Sequence, residues 1–240
     1  MTPVECTRAV AGPVGKLGGA WMFDGVVNDR GTELGLDTWA WYHCGRGGVL
    51  GNPDPSVLVA TFGFFPPAMQ IKAWNKGVAV MDPADIAREY AAACLAWGSR
   101  TFTGAGTGRL ADLLTTALDS ATVMGVPLFA GWLAVLHAHA DAPDPARLAL
   151  ALQVAREHRG GSHLVAVAAA GIPPLQAVMS GRYGATNAEF FGWPQPWPDP
   201  AVARDAMVAV EQVTDAMVAP AFEALTADER AELASGLRAL

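Results

Sequence analysis

The chain has 240 residues, 52% hydrophobic and only 16% charged, and 16 Lys and Arg against 23 Asp and Glu give a net charge of −7. Duplex nucleic acid is disfavoured as a partner, because phosphate binding draws on a basic stripe and the densest basic grouping is Arg156 and Arg159 around an acid. Charge this sparse, against roughly 25% in an average soluble domain, points to deep helix-on-helix burial or a surface covered by a second copy, so a homodimer is expected.

Residues 1–52 are rich in glycine and irregular in period, which predicts short helices joined by tight turns. The opening MTPVECTRAVAGPVGKLGG shows no basic segment followed by a long apolar run, so no signal peptide is read there. The cluster Gly45 to Gly51 lacks the spacing of a phosphate-cradling loop and reads as a place where helices approach closely. Asp54-Pro55 opens a helix that stops before Pro66-Pro67, and Pro67 starts another. Asp82-Pro83 caps a helix from Ala84 to about Trp97, and residues 101–107 form a linker. Further helices are expected over 109–124, 127–139 and 145–158, with Gly160-Gly161 ending the last of them. Short helices at 163–170 and 174–180 flank the turn Gly171-Ile172-Pro173, residues 183–200 form a loop of aromatics and prolines, and helices over 201–217 and 227–240 close the chain.

No alternating run supports a strand, so the fold class is mainly α, a multi-helix domain. Its parts are an N-terminal helical stretch, 1–142, and a C-terminal stretch, 143–240, packed as one unit. The uncharged run Ser120 to Ala140 has the length of a membrane span. It is broken by Gly125-Val126-Pro127 and lacks flanking Lys and Arg, so it reads as a core helix and no membrane is expected. Cys6, Cys44 and Cys94 are scattered and odd in number, as reduced thiols of a cytoplasmic protein would be.

The strongest site candidate follows Leu148 to Ala155, a stretch with one polar side chain, Gln153, whose helix is therefore buried nearly all round. Directly after it, Arg156-Glu157-His158-Arg159-Gly160-Gly161-Ser162-His163 delivers charge to the interior or to the floor of a cleft, where ions must be paired. His158 and His163 are candidate acid–base groups, since imidazole titrates nearest neutral pH. Arg156 and Arg159 would clamp a carboxylate or phosphate, and Glu157 would orient an imidazole or balance the arginines. On an unbroken helix the two histidines would point about 140° apart; a break at Gly160-Gly161 frees them to converge. The competing view makes both structural, His158 at a helix C-terminus and His163 in the first turn of the next helix.

Other residues extend the site. Phe190, Phe191, Trp193 and Trp197 sit among prolines, a stiff aromatic loop suited to a pocket wall, with Trp193 a ligand-binding candidate. Glu211 and Asp215 share a helical face beside apolar residues, so one acid can face inward and pair with Arg156 or Arg159. A metal would need His158 and His163 with one of His43, Glu157 or Asp215, but no HExxH or facial-triad spacing appears. His137 and His139 read as core residues or as haem ligands. The sequence names no cofactor.

The segments Tyr42 to Gly51 (YHCGRGGVLG), Phe62 to Pro66 (FGFFP), Arg156 to His163 (REHRGGSH) and Glu211 to Asp215 (EQVTD) occur in this order. Together they resemble an actinobacterial, EvbL-like family of uncharacterised proteins labelled helix-turn-helix, over most of the chain from about Gly35 to Ala219. The resemblance implies a helical fold with a winged-helix-like part near the C-terminus, and His163 to Ser180, helix–GIPP–helix, looks like the helix-turn-helix. Where that family carries a Trp-containing helix, a further helix and a wing, this chain has the short loop Trp193 to Pro200, so the winged-helix part is degenerate. A recognition helix needs side chains that read base edges, and Pro174 to Ser180 offers Gln176 alone. Shared motif membership places Tyr42, His43 and Arg46 in the same pocket as the Arg156–His163 cluster. The functional expectation is a small-molecule-binding protein, extending to a cofactor-independent enzyme that uses the His/Arg/Glu cluster as acid–base and anion clamp. The alternatives are a helix-turn-helix transcriptional regulator and a haem- or metal-binding protein.

Overall fold

The longest helix of the chain, α9 (Asp144–Ala169), is the axis on which the others pack. Leu148, Ala149, Leu150, Ala151, Leu152, Gln153 and Val154 are all fully buried, so this helix is enclosed on every side over two turns. The structure, a computed structural model, describes residues 1–240, which form helices with no strand. Around α9 stand α1 (Pro3–Ala20), α6 (Pro83–Thr101), α7 (Thr107–Asp119), α8 (Pro127–Ala138) and α12 (Arg204–Val218). Outside this ring, α3 (Thr38–Gly47) packs on α6 and on α5 (Pro67–Val78), with α2 (Gly25–Glu33) and α4 (Pro55–Phe62) beside them. The short α10 (Pro174–Ser180) and α11 (Gly184–Phe190) pair with each other, and α13 (Ala227–Ala239) lies on α1.

Local chemistry explains many of the ends. Asp54 and Asp82 accept backbone N–H bonds as N-caps ahead of Pro55 and Pro83, and Thr2 and Thr226 form capping boxes with Glu5 and Glu229. Close helix contact depends on small residues. A Cβ on Gly18 of α1 would stand 2.5 Å from the Leu152 carbonyl oxygen of α9, so only glycine allows that approach.

A core of 45 buried residues runs from Cys6 to Leu237 and so draws on both ends of the chain. Two smaller clusters lie by α10 to α12, one around Ala166, Ile172, Ala177 and Val210, the other around Val178, Met179 and Ala188. The apolar run 120–140 contains only the 12-residue α8, which buries Leu128, Phe129, Trp132 and Leu136. No single helix is long and apolar enough to cross a membrane.

The structure corrects the sequence reading at α9. The helix does not stop at Gly160-Gly161 but continues to Ala169. The glycine that ends it is Gly171, with φ of 66° and the Ile172 N–H bonded back to the Val167 carbonyl, the six-to-one bond of a Schellman turn. A Cβ on Gly161 would stand 2.7 Å from Val126 Cγ1 at the start of α8, so this glycine serves packing. A second correction is α11, which lies within the segment expected to be loop. After the corner, α10 leaves α9 at 113°, the geometry of a helix-turn-helix.

Candidate functional site

The unbroken α9 aims its charged turn at a cavity of about 1100 Å³. Val14 and Gly15 of α1, Phe62 of α4 and Leu128 and Phe129 of α8 form part of its wall. Phe23, Phe64, Phe65, Phe190 and Phe191 add aromatic rings, and Ala177 and Val178 of α10 close one side. Phe65 and Phe191 meet with ring centroids 4.4 Å apart, and Phe23 stacks on Tyr42 at 5.6 Å.

The floor is a set of ion pairs. Arg46 of α3 grips Glu157 with two parallel bonds, Nε to Oε1 at 2.6 Å and Nη2 to Oε2 at 2.8 Å, and donates from Nη1 to the Tyr42 hydroxyl at 2.9 Å. Gln153, one turn earlier on α9, donates to Glu157 Oε1 at 2.7 Å. Glu157 is 1% exposed. Burial alone would push its carboxyl up, but the Arg46 and Arg156 charges and the donated bonds outweigh that and hold it below the ordinary range. Burial would likewise lower the proton affinity of Arg46, and the Glu157 charge beside it more than reverses that, so the guanidinium is held firmly charged.

At the far edge Arg159 bonds Asp215 at 2.9 Å and Glu211 at 2.7 Å, and Arg8 of α1 takes the other Asp215 oxygen at 3.0 Å. The acid facing inward is therefore Asp215, and its partner is Arg159. His163 Nδ1 lies 3.1 Å from the Thr214 hydroxyl and 3.5 Å from Glu211. Burial lowers its proton affinity, and Glu211 opposes the shift.

The cavity thus brings together Arg156, Glu157, Arg159, His163, Tyr42 and Arg46. The other three candidates lie off it. His158 shares a continuous helix with His163 and so points away, as the roughly 140° separation requires. It is buried against Phe129 at 4.6 Å, and desolvation pulls its pKa down to about 4. His43 donates its Nδ1–H to the Trp39 carbonyl, 2.9 Å away, and stacks on Phe62 at 5.1 Å. It is 1% exposed, its Nε2 has no partner, and burial takes its pKa to about 4. Trp193 packs in the small cluster with Val178 and Met179 and donates its indole N–H to the Phe64 carbonyl at 3.0 Å. It steadies a wall residue from behind.

The metal set considered from the sequence does not assemble, since no group of three or more His, Cys, Asp or Glu side chains is placed to hold an ion. His137 is exposed and paired to Asp119 at 2.7 Å instead of lying in the core. Sequence reasoning passed over Gln153, Phe62, Phe64 and Phe65. The last three stand in the FGFFP motif, which carried a signal without a role.

A model described as a helix-turn-helix family matches residues 7–206. The chain belongs to that helix-turn-helix family. No curated protein and no solved structure matches it. The matched span holds the corner between α9 and α10 and also nearly every residue of the cavity except Glu211. In this member of the family Gln176 is buried and donates to the Asp199 carbonyl at 2.9 Å and to Ser180 Oγ at 3.3 Å. The side chain of α10 best suited to reading a base is thus spent on internal bonds.

Proposed function

We propose that this protein binds a small molecule in the aromatic cavity, with the charged turn of α9 as its polar floor. The observation that carries the reading is the cavity, whose 1100 Å³ matches or exceeds the roughly 300–1,000 Å³ of ordinary ligand sites. The space opens to solvent on one side and is left unfilled by the helices around it. Gly15 and Gly160 both face it with nothing within 4 Å of where a Cβ would stand. N-phenylnaphthylamine, a neutral probe that fluoresces in apolar surroundings, tests the site. The native protein is expected to bind it saturably at one site, and Gly160→Phe, which puts a ring into the space, to lose that binding. Equal binding by both proteins overturns the reading.

Catalysis extends the same reading through His163, the one imidazole on the cavity, which has Glu211 beside it. Glu157 is too firmly held by Arg46 to serve as a mobile base. Turnover of a bound ligand would disappear in His163→Gln with binding retained. The regulator reading draws on the family match and on the corner of α9 and α10. A gel shift at moderate salt tests it, and retention of duplex DNA there would favour it over a pure binder. We read the kinship more narrowly as EvbL-like and actinobacterial on the four sequence motifs. We also read the protein as cytoplasmic, supported by its three unpaired buried cysteines. A homodimer is read from the sparse charge of the chain, and sedimentation equilibrium tests it.

A further inference from the structure

The charges around the cavity do not balance. Arg46, Arg156 and Arg159 line it with Glu157 and Glu211, and with Asp215 and Arg8 just behind them the connected network holds four arginines against three carboxylates. Arg46 is neutralised by its two-point grip on Glu157, and Arg159 is held by Asp215 and Glu211. Arg156 is left over. Its single polar contact is Nη1 to Glu157 Oε1 at 3.4 Å, on an oxygen that already accepts from Arg46 and Gln153. A guanidinium carries five N–H donors, so most of those on Arg156 have no protein acceptor. Its side chain is 28% exposed, and it lines the cavity.

The surroundings make a place for a charged headgroup with an apolar body. Gly19 of α1 clears the Arg156 side chain, since a Cβ there would come 3.3 Å from its Nε. One turn further along the same face of α9, Gly160 leaves the helix backbone open beneath the cavity. Beyond it stand aromatic rings, among them Phe64, Phe65 and Phe191.

Resting on the small-molecule reading above, we infer that the ligand is a singly charged oxyanion, a carboxylate or sulfonate, on a large aromatic or similarly apolar body, anchored by Arg156. A planar guanidinium fork meets such a headgroup with two parallel bonds, and charge-assisted bonds are the strong ones where water is scarce. The excess at the floor is one positive charge. A monoanion cancels it, whereas a dianion leaves a negative charge uncompensated beside Glu157 and Glu211.

Two matched probes test the inference: anilinonaphthalenesulfonate and N-phenylnaphthylamine, the same molecule without its sulfonate. The native protein is expected to bind the anion at least about tenfold more tightly than the neutral probe, one good charge-assisted contact. In Arg156→Gln that ratio is expected to fall to within about twofold of unity, and Arg156→Lys to recover part of it. A native ratio near one, with both probes bound, overturns the anion assignment and leaves the cavity reading standing. A preference retained in Arg156→Gln overturns the choice of anchor. If neither probe binds, the cavity reading itself falls, and the inference with it. Should Arg156→Gln fail to fold, salt dependence of the native ratio decides: a preference unchanged between low and high salt argues against an ionic anchor at this half-open site.

Discussion

Replacing Glu157 by glutamine tests the electrostatics of the cavity floor, because the side chain keeps its size, loses its charge and turns one accepting oxygen into an NH2 donor. Glu157 is the acceptor for Arg46, Gln153 and Arg156 at once; it is buried, and Arg46 keeps only 11% of its side chain exposed. Taking the charge away leaves the Arg46 guanidinium in a low-dielectric interior without a counter-ion. Breaking one side of a buried pair costs about 3–5 kcal/mol. Glutamine still accepts one hydrogen bond, so a loss of about 3 kcal/mol, at the low end of that range, is expected. In a chain of this length it lowers the melting temperature by roughly 6–12 °C. Urea unfolding of both proteins at neutral pH measures it, with unchanged slope as the check that the same surface unfolds. The double change Arg46→Met with Glu157→Leu removes both charges and should regain most of the loss, since well-packed apolar residues often replace a buried pair without penalty. The Glu157 carboxyl sits below its ordinary value of 4.5 in the folded protein, so its contribution is present above that value and disappears as pH falls through the lower folded one. A loss under about 1 kcal/mol for Glu157→Gln, or a double variant as unstable as the single one, would refute the argument.

The two buried histidines set a second acid dependence with a different window. His43 and His158 have folded pKa values near 4 against 6.5 when free, both from burial, so the unfolded chain takes up protons first as pH falls. Stability is therefore full above 6.5 and declines down to about 4, by up to about 3 kcal/mol per histidine. Urea midpoints at neutral and mildly acid pH should differ clearly, and His158→Leu should flatten the difference; an unchanged slope in that variant sinks the assignment. The glycines of α1 and α9 should respond oppositely to alanine. Gly160→Ala faces open space and is expected to stabilise by up to about 1 kcal/mol through helix propensity, whereas Gly18→Ala drives a methyl against the Leu152 carbonyl and should destabilise by about 1–3 kcal/mol. Thermal melts of the pair suffice, and the same sign for both would contradict the packing described. Trp193→Phe removes the donor to the Phe64 carbonyl and should cost about 1 kcal/mol, with a weaker hold on N-phenylnaphthylamine as the wall loosens.

What could be read from the chain without coordinates was local in origin. Asp54-Pro55 and Asp82-Pro83 announce helix starts because capping chemistry involves only neighbours in sequence. The buried run Leu148 to Val154 is legible for the same reason, since a helix with one polar residue in two turns has nowhere to go but inside. Gly160-Gly161 was misleading because glycine answers two different demands, a left-handed backbone or the absence of a side chain. Only the position of Val126, brought in by α8, tells which applies here. That misreading propagated to the histidines. With a break they could converge; on a continuous helix His158 is delivered to Phe129 and His163 to Thr214. Of the cavity wall, Phe190 and Phe191 were legible as an aromatic loop, but their meeting with Phe23 and with the Phe62 to Phe65 motif was out of reach, because no period in the sequence relates these three distant segments.

The family's name and the cavity are two descriptions of the same corner. A helix-turn-helix that reads DNA must present its second helix outward, yet α10 buries Gln176, Ala177, Val178 and Met179 in succession. Two of them, Ala177 and Val178, are cavity wall. The turn that swings α10 to 113° from α9 thus sets one wall of the cavity that Arg156, Gly160 and Leu164 of α9 also line. Opening the corner should then weaken the cavity before it exposes any reading face. Gly171 holds φ of 66° at the turn, a conformation that valine avoids, so Gly171→Val strains the corner without touching a lining residue. N-phenylnaphthylamine binding is expected to fall in this variant along with thermal stability. If stability drops and the probe still binds as in the native protein, α10 does not form the wall that the geometry assigns to it.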